Sequence, residues 1–245
     1  METNIKHAVV TGGTRGIGKK IVETLIQNNY FVDFTYINSQ SAANELTQKY
    51  EGKCRATKVD GSNPQEVKEY MELVKDKGNT TVLINNAGIT INSLLKDSSV
   101  EDIETIMKTN LGGVIHFCTE AIPQMLKEKK GDIINISSLA SQNIRAGNGL
   151  YGMSKSAIER YSEGLALEMA RFNIATNIIS PGYVETDIIK NLICNPEEKK
   201  KILKSIPLRK FTQEQDIADA IVFLLSRKPM LIGANLPIGG GGQLA

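Results

Sequence analysis

His7-Ala-Val-Val10 leads into Thr11-Gly-Gly-Thr-Arg-Gly-Ile-Gly18, and Ile17, Ile21, Val22, Leu25 and Ile26 then recur at helical spacing to about Asn28. A short apolar run, a glycine-rich turn and an amphipathic helix read as strand, turn and helix in that order. Gly12, Gly16 and Gly18 let the backbone turn tightly and approach a ligand closely. The helix N-terminus adds free N–H groups and the positive end of a dipole, which suits a pyrophosphate. A tight β–α turn with no ligand is the plainer reading of the same residues. The spacing G-x-x-x-G-x-G also departs from the usual dinucleotide fingerprint G-x-G-x-x-G.

Working outward, strands and helices alternate. Tyr30–Tyr36 reads as a strand and Ser41 to about Glu51 as a helix. Arg55–Val59 reads as a strand ending in Asp60-Gly61, and Asn63 with Pro64 is a helix start, with the helix running to about Lys77. Thr81–Ile84 is a fourth strand, ending in Asn85-Asn86-Ala87-Gly88. Helices follow from about Val100 to Lys129, with Asn110 as a candidate kink and Pro123 late in the run. Asp132–Ile136 is a strand that delivers Ser137-Ser138, and a Gly-, Asn- and Ser-rich loop spans Leu139–Gly149. Next come a helix from Tyr151 to about Phe172, a strand at Ala175–Ile179 and the turn Ser180-Pro181-Gly182. A helix from about Gln213 to Ser226, a strand at Asn235–Ile238 and a flexible turn at Gly239–Gly242 close the chain. About seven such alternations predict an α/β fold, a Rossmann-type doubly wound parallel sheet with helices on both faces. With no Pro/Gly/Ser linker, residues 1–245 read as a single domain.

Bulk properties narrow the partners. There are 29 Lys+Arg against 27 Asp+Glu, a net charge of +2, so net charge makes no case for nucleic acid or membrane. Cys54, Cys118 and Cys194 form no C-x-x-C pair and are scattered, as are His7 and His116. The expectation is no metal, no disulfide framework and a reducing compartment. No apolar signal core and no run of about 18 apolar residues is visible, so a soluble cytoplasmic protein is expected.

The chemistry centres on Tyr151-Gly-Met-Ser-Lys155. On a helix, residues four apart share a face. A phenol ordinarily titrates near pH ~10, and a cation one turn away favours the phenolate, as a general acid/base requires. Alone, this spacing equally describes a surface pair.

Thr11-Gly12…Gly16-Ile17-Gly18, Asn85-Asn86-Ala87-Gly88, Tyr151…Lys155 and Pro181-Gly182…Thr186 occur in the order and spacing of one family. The chain resembles the short-chain dehydrogenase/reductase family over roughly residues 5 to 240. That resemblance implies a nicotinamide nucleotide held by Gly12, Thr14, Arg15, Gly16, Ile17 and Gly18, with Asn38, Asp60, Gly61, Asn86, Ala87 and Gly88 on its adenosine side. Pro181, Gly182, Val184 and Thr186 fall at the nicotinamide. The resemblance also assigns Ser138, thirteen residues before Tyr151, as the carbonyl-polarising serine. Lys155 binds the ribose hydroxyls and lowers the tyrosine pKa, and Asn110 holds a water of the proton relay. The segment Ile188–Ser205, with its charged run Glu197–Lys201, falls at the family's substrate lid.

The end of the second strand bears on NAD against NADP. Register with the family puts the deciding position at about Tyr36, where no acid stands, while Arg15 suits a 2′-phosphate. NADP(H) is therefore expected. Asp33, inside the strand, is the residue that would argue for NAD.

Within the family the chain is most similar to 3-oxoacyl-[acyl-carrier-protein] reductases, on Gly88-Ile-Thr90 and Pro181-Gly-Tyr-Val-Glu-Thr-Asp187. Those enzymes are usually tetramers, implying a homotetramer or homodimer, and dock acyl carrier protein on basic residues. Lys127, Lys129, Lys130 and Arg171 are candidates for that patch, with ordinary surface solubility as the alternative. Two departures stand against a full match: Phe172, where a basic residue is common, and Arg227–Gly233, which differs from the usual Y-I-T-G. A secondary-metabolite (polyketide-type) ketoreductase, an NAD-linked alcohol or sugar dehydrogenase and a non-catalytic nucleotide-binding relative fit the same motifs.

Overall fold

A computed structural model describes residues 6–185, 194–226 and 230–244. Thr186 and parts of the segments Ile188–Ser205 and Arg227–Gly233 lie outside them. The element order is β1 (Lys6–Val10), α1 (Gly16–Gln27), β2 (Tyr30–Tyr36), α2 (Gln40–Lys49), β3 (Cys54–Lys58), α3 (Pro64–Leu73) and β4 (Val82–Asn85). Then come α4 (Val100–Met107), α5 (Gly113–Glu128), β5 (Gly131–Ile136), α6 (Gly149–Met169), β6 (Ile174–Pro181), α7 (Pro196–Ser205), α8 (Glu214–Ser226) and β7 (Asn235–Ile238). The seven strands form one sheet in the order β3-β2-β1-β4-β5-β6-β7, every pair parallel.

Alternate residues of the central strands feed opposite cores. Ala8, Val10, Val82, Ile84 and Ile134 pack with Ile21 and Leu25 of α1, Leu46 of α2 and Ile217 and Ile221 of α8. Val9, Leu83 and Ile133 pack the other way, with Val67 and Met71 of α3, Phe117 and Met125 of α5 and Ile158 and Leu165 of α6. This is the two-faced burial that a parallel sheet needs. Each fully buried Leu or Ile contributes about 1.5–3 kcal/mol relative to exposure. The order in which strands are added reverses between β1 and β4, and such a switch point opens a crevice at the carboxyl ends of the strands.

Several boundaries differ from the sequence reading. The long helix after Val100 is divided by a π turn at Lys108–Gly112, so Asn110 sits in a widened turn where a kink was expected. Pro123 is carried inside α5. The strand read as Ala175–Ile179 continues through Ser180 and Pro181, because these pair with Pro237 and Ile238 of β7. The turn therefore begins at Gly182. Asn63 caps α3 as expected, its side chain accepting from the amides of Gln65 and Glu66.

Candidate active site

The glycine turn is shaped by its neighbours. Gly12 has φ +68°, a conformation costly for other residues. A Cβ on Gly18 would collide with the carbonyl oxygen of Gly12, so the first turn of α1 can seat only glycine there. Asn86, from the end of β4, donates its side-chain amide to the carbonyls of Thr11 (3.0 Å) and Gly12 (3.1 Å). The Thr11 hydroxyl accepts from the amides of Asn86 and Ala87, both at 3.0 Å. The two strand ends that flank the switch point are thus laced together.

One cleft of about 1120 Å³ runs over these strand ends. Gly12, Thr14, Arg15, Gly16, Ile17, Gly18, Asn38, Asp60, Gly61, Asn86, Ala87 and Gly88 border it, as do Ser138, Tyr151, Lys155, Pro181, Gly182 and Val184. Every described candidate catalytic or nucleotide-binding residue except Asn110 therefore lines a single cavity. Its volume exceeds that of an ordinary small-ligand pocket, roughly 300–1,000 Å³, leaving room for a nucleotide and a second molecule.

At one end, exposed Arg15 N-caps α1 and shares the cleft with Tyr36, Asn38 and Ser39. No carboxylate lies on Ile37–Ser39. Asp33 is fully buried and engaged elsewhere, with Arg55 Nε at 2.6 Å and His7 Nε2 at 2.7 Å. Asp60 borders the cleft, and its carboxylate also caps the following turn by accepting from the Ser62 amide at 2.9 Å.

At the other end, α6 carries Tyr151 and Lys155. Lys155 is 4% exposed, its Nζ donating to the carbonyl of Ile136 at 2.8 Å and standing 5.8 Å from the Tyr151 ring centroid. Burial pushes its ammonium down to about 8, opposed by the carboxylate of Glu159. The Tyr151 phenol behaves differently from the sequence expectation. Burial pushes it up from its ordinary value, and the group that pulls it back is the Ser138 side chain, through a hydrogen bond, while Lys155 is turned onto β5.

Asn110 is completely buried one layer below. It accepts from the Ile89 amide (2.8 Å) and donates to the Ile89 carbonyl (3.0 Å) and the Ser154 hydroxyl (2.9 Å). Its side chain therefore anchors the chain after Gly88 to α6. Gly88 is the contact point, since a Cβ there would meet Asn110 at 3.1 Å and Lys155 Nζ at 3.5 Å. This puts Gly88 beside Lys155, in the same cleft as Asn86 and Ala87. Deeper still, Asn85 donates to Asn135 at 2.8 Å and Asn135 to Ser162 at 2.8 Å, fixing α6 on the sheet.

Matching this geometry, the family model "short chain dehydrogenase" covers residues 6–196. The chain belongs to the short chain dehydrogenase family. It is an oxidoreductase of that family. It is 33% identical over 240 residues to carbonyl reductase family member 4 of Xenopus laevis, covering 98% of each chain. It is 34% identical over 240 residues to the 3-oxoacyl-[acyl-carrier-protein] reductase FabG of Chlamydia pneumoniae, covering 97% of this chain and 96% of that one. A gluconate 5-dehydrogenase from Burkholderia cenocepacia, solved with NADP and tartrate, superposes with a TM-score of 0.92 at 26% identity, over 98% of this chain and 96% of the other.

Sequence reasoning missed several residues that short chain dehydrogenase folding brings to the cleft. The run Gly239–Gly242, expected to be a flexible turn, puts Gly239 and Gly242 on the cavity: Gly242 accepts from Asn143 at 2.8 Å, and Gly240 accepts from the Leu208 amide at 3.0 Å. Arg145 bridges the loop after Ser138 to Tyr183 and to Ser205 of α7, its guanidinium 5.0 Å from the Tyr183 ring. Neither feature has a local signature. The charged run Glu197–Lys201 lies on α7, whose Glu198, Ile202 and Ser205 border the cleft. Among the described residues, no helix is long and apolar enough to cross a membrane.

Proposed function

We propose that the protein is an NADP(H)-dependent reductase of a β-keto group, and that its substrate is a 3-oxoacyl thioester carried on acyl carrier protein. The observation that carries the reading is the single cleft shared by the glycine turn, Arg15, Ser138, Tyr151 and Lys155.

The residues present fit a dinucleotide. The left-handed Gly12 and the side-chain-free Gly18 leave the N-terminus of α1 open to a pyrophosphate. Arg15, Thr14, Asn38 and Ser39 offer a guanidinium, hydroxyls and an amide for a 2′-phosphate, and Asp33 is withheld in the core. The nucleotide, when bound, supplies the hydride. Tyr151 gives a proton to the carbonyl oxygen, and Ser138 donates a hydrogen bond to that oxygen as charge develops. Lys155 binds ribose hydroxyls and supplies a cation beside the phenol. Asn110 holds the backbone of the proton route in place. Val184 forms the nicotinamide wall, kept there by the bridge to Thr212. Thr186, which the family resemblance assigns to the nicotinamide, lies outside the described residues.

The thioester substrate is supported by similarity to the FabG reductases over almost the whole chain. Carrier docking has a surface to use. Lys127, Lys129 and Lys130 are exposed at the end of α5, and Asn173 donates to the Lys129 carbonyl at 2.9 Å, which brings exposed Arg171 alongside. Val100 and Ile103 on α4 and Met153 and Leu167 on α6 are exposed apolar side chains, in keeping with a homodimer or homotetramer.

A second reading, a sugar-acid or alcohol dehydrogenase, is favoured by Arg145. This guanidinium borders the cleft with only the hydroxyls of Tyr183 and Ser205 as partners among the described residues, and a carboxylate would suit it. One experiment separates the readings: nucleotide oxidation and reduction measured with acetoacetyl thioesters of acyl carrier protein and coenzyme A, simple ketones and sugar acids. Preference for NADPH with a thioester supports the first reading. Turnover of sugar acids with NAD and none of thioesters overturns it.

A further inference from the structure

Glu159 stands one helical turn beyond Lys155 on α6 and belongs to none of the motifs above. One oxygen of its carboxylate has three serine hydroxyls within reach: Ser137 at 2.8 Å, Ser141 at 2.6 Å and Ser180 at 3.0 Å. The serines come from different segments. Ser137 follows β5, Ser141 is in the loop after Ser138, and Ser180 lies in β6 immediately before Pro181-Gly182. Each hydroxyl also has a second acceptor: the Lys155 carbonyl at 3.3 Å, the Ser138 carbonyl at 2.7 Å and the Asn235 side chain at 2.7 Å, respectively. A serine carries one hydroxyl proton, so the charged acceptor competes with these neutral ones.

We infer that Glu159 is a positioning residue of the reductase site, fastening the Ser138 segment and the strand end before Pro181-Gly182 onto the helix that carries Tyr151 and Lys155. The inference rests on the proposed reductase reading of that helix. Ser138 is bracketed on both sides, by Ser137 before it and Ser141 after it. The Ser141 amide also donates to the Ser138 carbonyl at 3.0 Å, so the pull of Glu159 reaches the serine through its own backbone. Three of the segments that meet at the reacting carbonyl thus share one carboxylate. Local spacing could not show this, since the serines stand 22, 18 and 21 residues from Glu159.

Charge gives Glu159 a second effect. On α6 the ionisable neighbours of Lys155 are Tyr151 and Glu159. From the other elements packed on it, Gly88 and the Ile136 carbonyl face the ammonium and Ser137 meets the Lys155 carbonyl, and none of these ionises. Glu159 is therefore the negative charge that opposes the burial of the Lys155 ammonium.

The test uses the full chain, Glu159→Ala and Glu159→Gln, and any carbonyl that the wild type reduces. For Glu159→Ala, kcat should fall on the order of tenfold to a hundredfold, because a slight misplacement of reacting groups is enough for such a loss. NADPH affinity, read by fluorescence, should stay at the wild-type value at neutral pH. Glu159→Gln keeps an oxygen for the hydroxyls and should recover most of kcat at neutral pH. Its alkaline limb, in both rate and NADPH affinity, should move to lower pH because the opposing charge is gone. Wild-type kcat in Glu159→Ala overturns the inference. If Glu159→Ala does not fold, an unmoved alkaline limb in Glu159→Gln overturns it. A wild type that reduces ketones and no thioester removes the proposed substrate and leaves this test intact.

Discussion

The ammonium of Lys155 donates to the main-chain carbonyl of Ile136 at 2.8 Å. This bond ties α6 to the end of β5 and sets the ammonium in a buried position, 5.8 Å from the Tyr151 ring centroid. Burial holds its pKa at about 8, below the ordinary 10.5. Lys155 is charged below that pH and loses its charge above it. Turnover should therefore be steady toward neutral pH and fall as pH rises through about 8, in a kcat/KM profile. Stability has the opposite sign. Between about 8 and 10.5 the unfolded chain holds the extra proton, so the contribution of this group to stability rises with pH. A melting series across that window checks it, and a rate that climbs there would contradict the assigned role.

Tyr151→Phe removes the proposed proton donor and leaves the ring in its packing. Turnover should drop by about a hundredfold to ten-thousandfold, the usual worth of a positioned acid. NADPH binding, followed by fluorescence, should be nearly intact. Substantial remaining activity would place the acid elsewhere.

Arg15→Ala should separate the two nucleotides. Losing a charge-assisted contact to a 2′-phosphate weakens NADPH binding by about tenfold to a hundredfold and leaves NADH binding unchanged. Equal effects on both, measured by titration, would assign Arg15 to the pyrophosphate instead.

Asp33→Ala leaves Arg55 and His7 facing each other without their shared carboxylate. Breaking such a buried pair from one side costs about 3–5 kcal/mol. The denaturation midpoint should fall accordingly. The ratio of NADPH to NADH affinity should not move, because the carboxylate is enclosed between β1 and β3.

Asn86→Ala leaves the Thr11 and Gly12 carbonyls without their side-chain donor. The expected cost is about 1–3 kcal/mol, together with weaker nucleotide binding. Calorimetry and a cofactor titration would read the two effects separately. Lost stability with unchanged affinity would mean that the glycine turn holds its shape unaided.

Much of the site is legible along the chain because it is local. The strand–turn–helix at Gly12–Gly18, the cap at Asn63 and the Tyr151–Lys155 spacing are set by neighbours within a few residues, where periodicity and capping act. Boundaries are less legible. Ser180 and Pro181 belong to β6 only because β7 lies beside them. The π turn at Asn110 accompanies a side chain fully taken up by Ile89 and Ser154.

By itself, the sequence determined the class of fold, the order of strands and helices, the glycine turn at Gly12–Gly18 and the one-turn spacing of Tyr151 and Lys155. Only the tertiary structure decided that Asp33 is spent in the core, that Gly239 and Gly242 border the cleft, that Arg145 meets Tyr183 and Ser205, and that Glu159 gathers three serines. The division has a physical cause. Backbone propensity and side-chain periodicity act over one or two turns and are written in adjacent residues. Hydrogen bonds between residues about twenty or more apart exist only after strand register and helix packing have set the distances, and no local pattern encodes those distances.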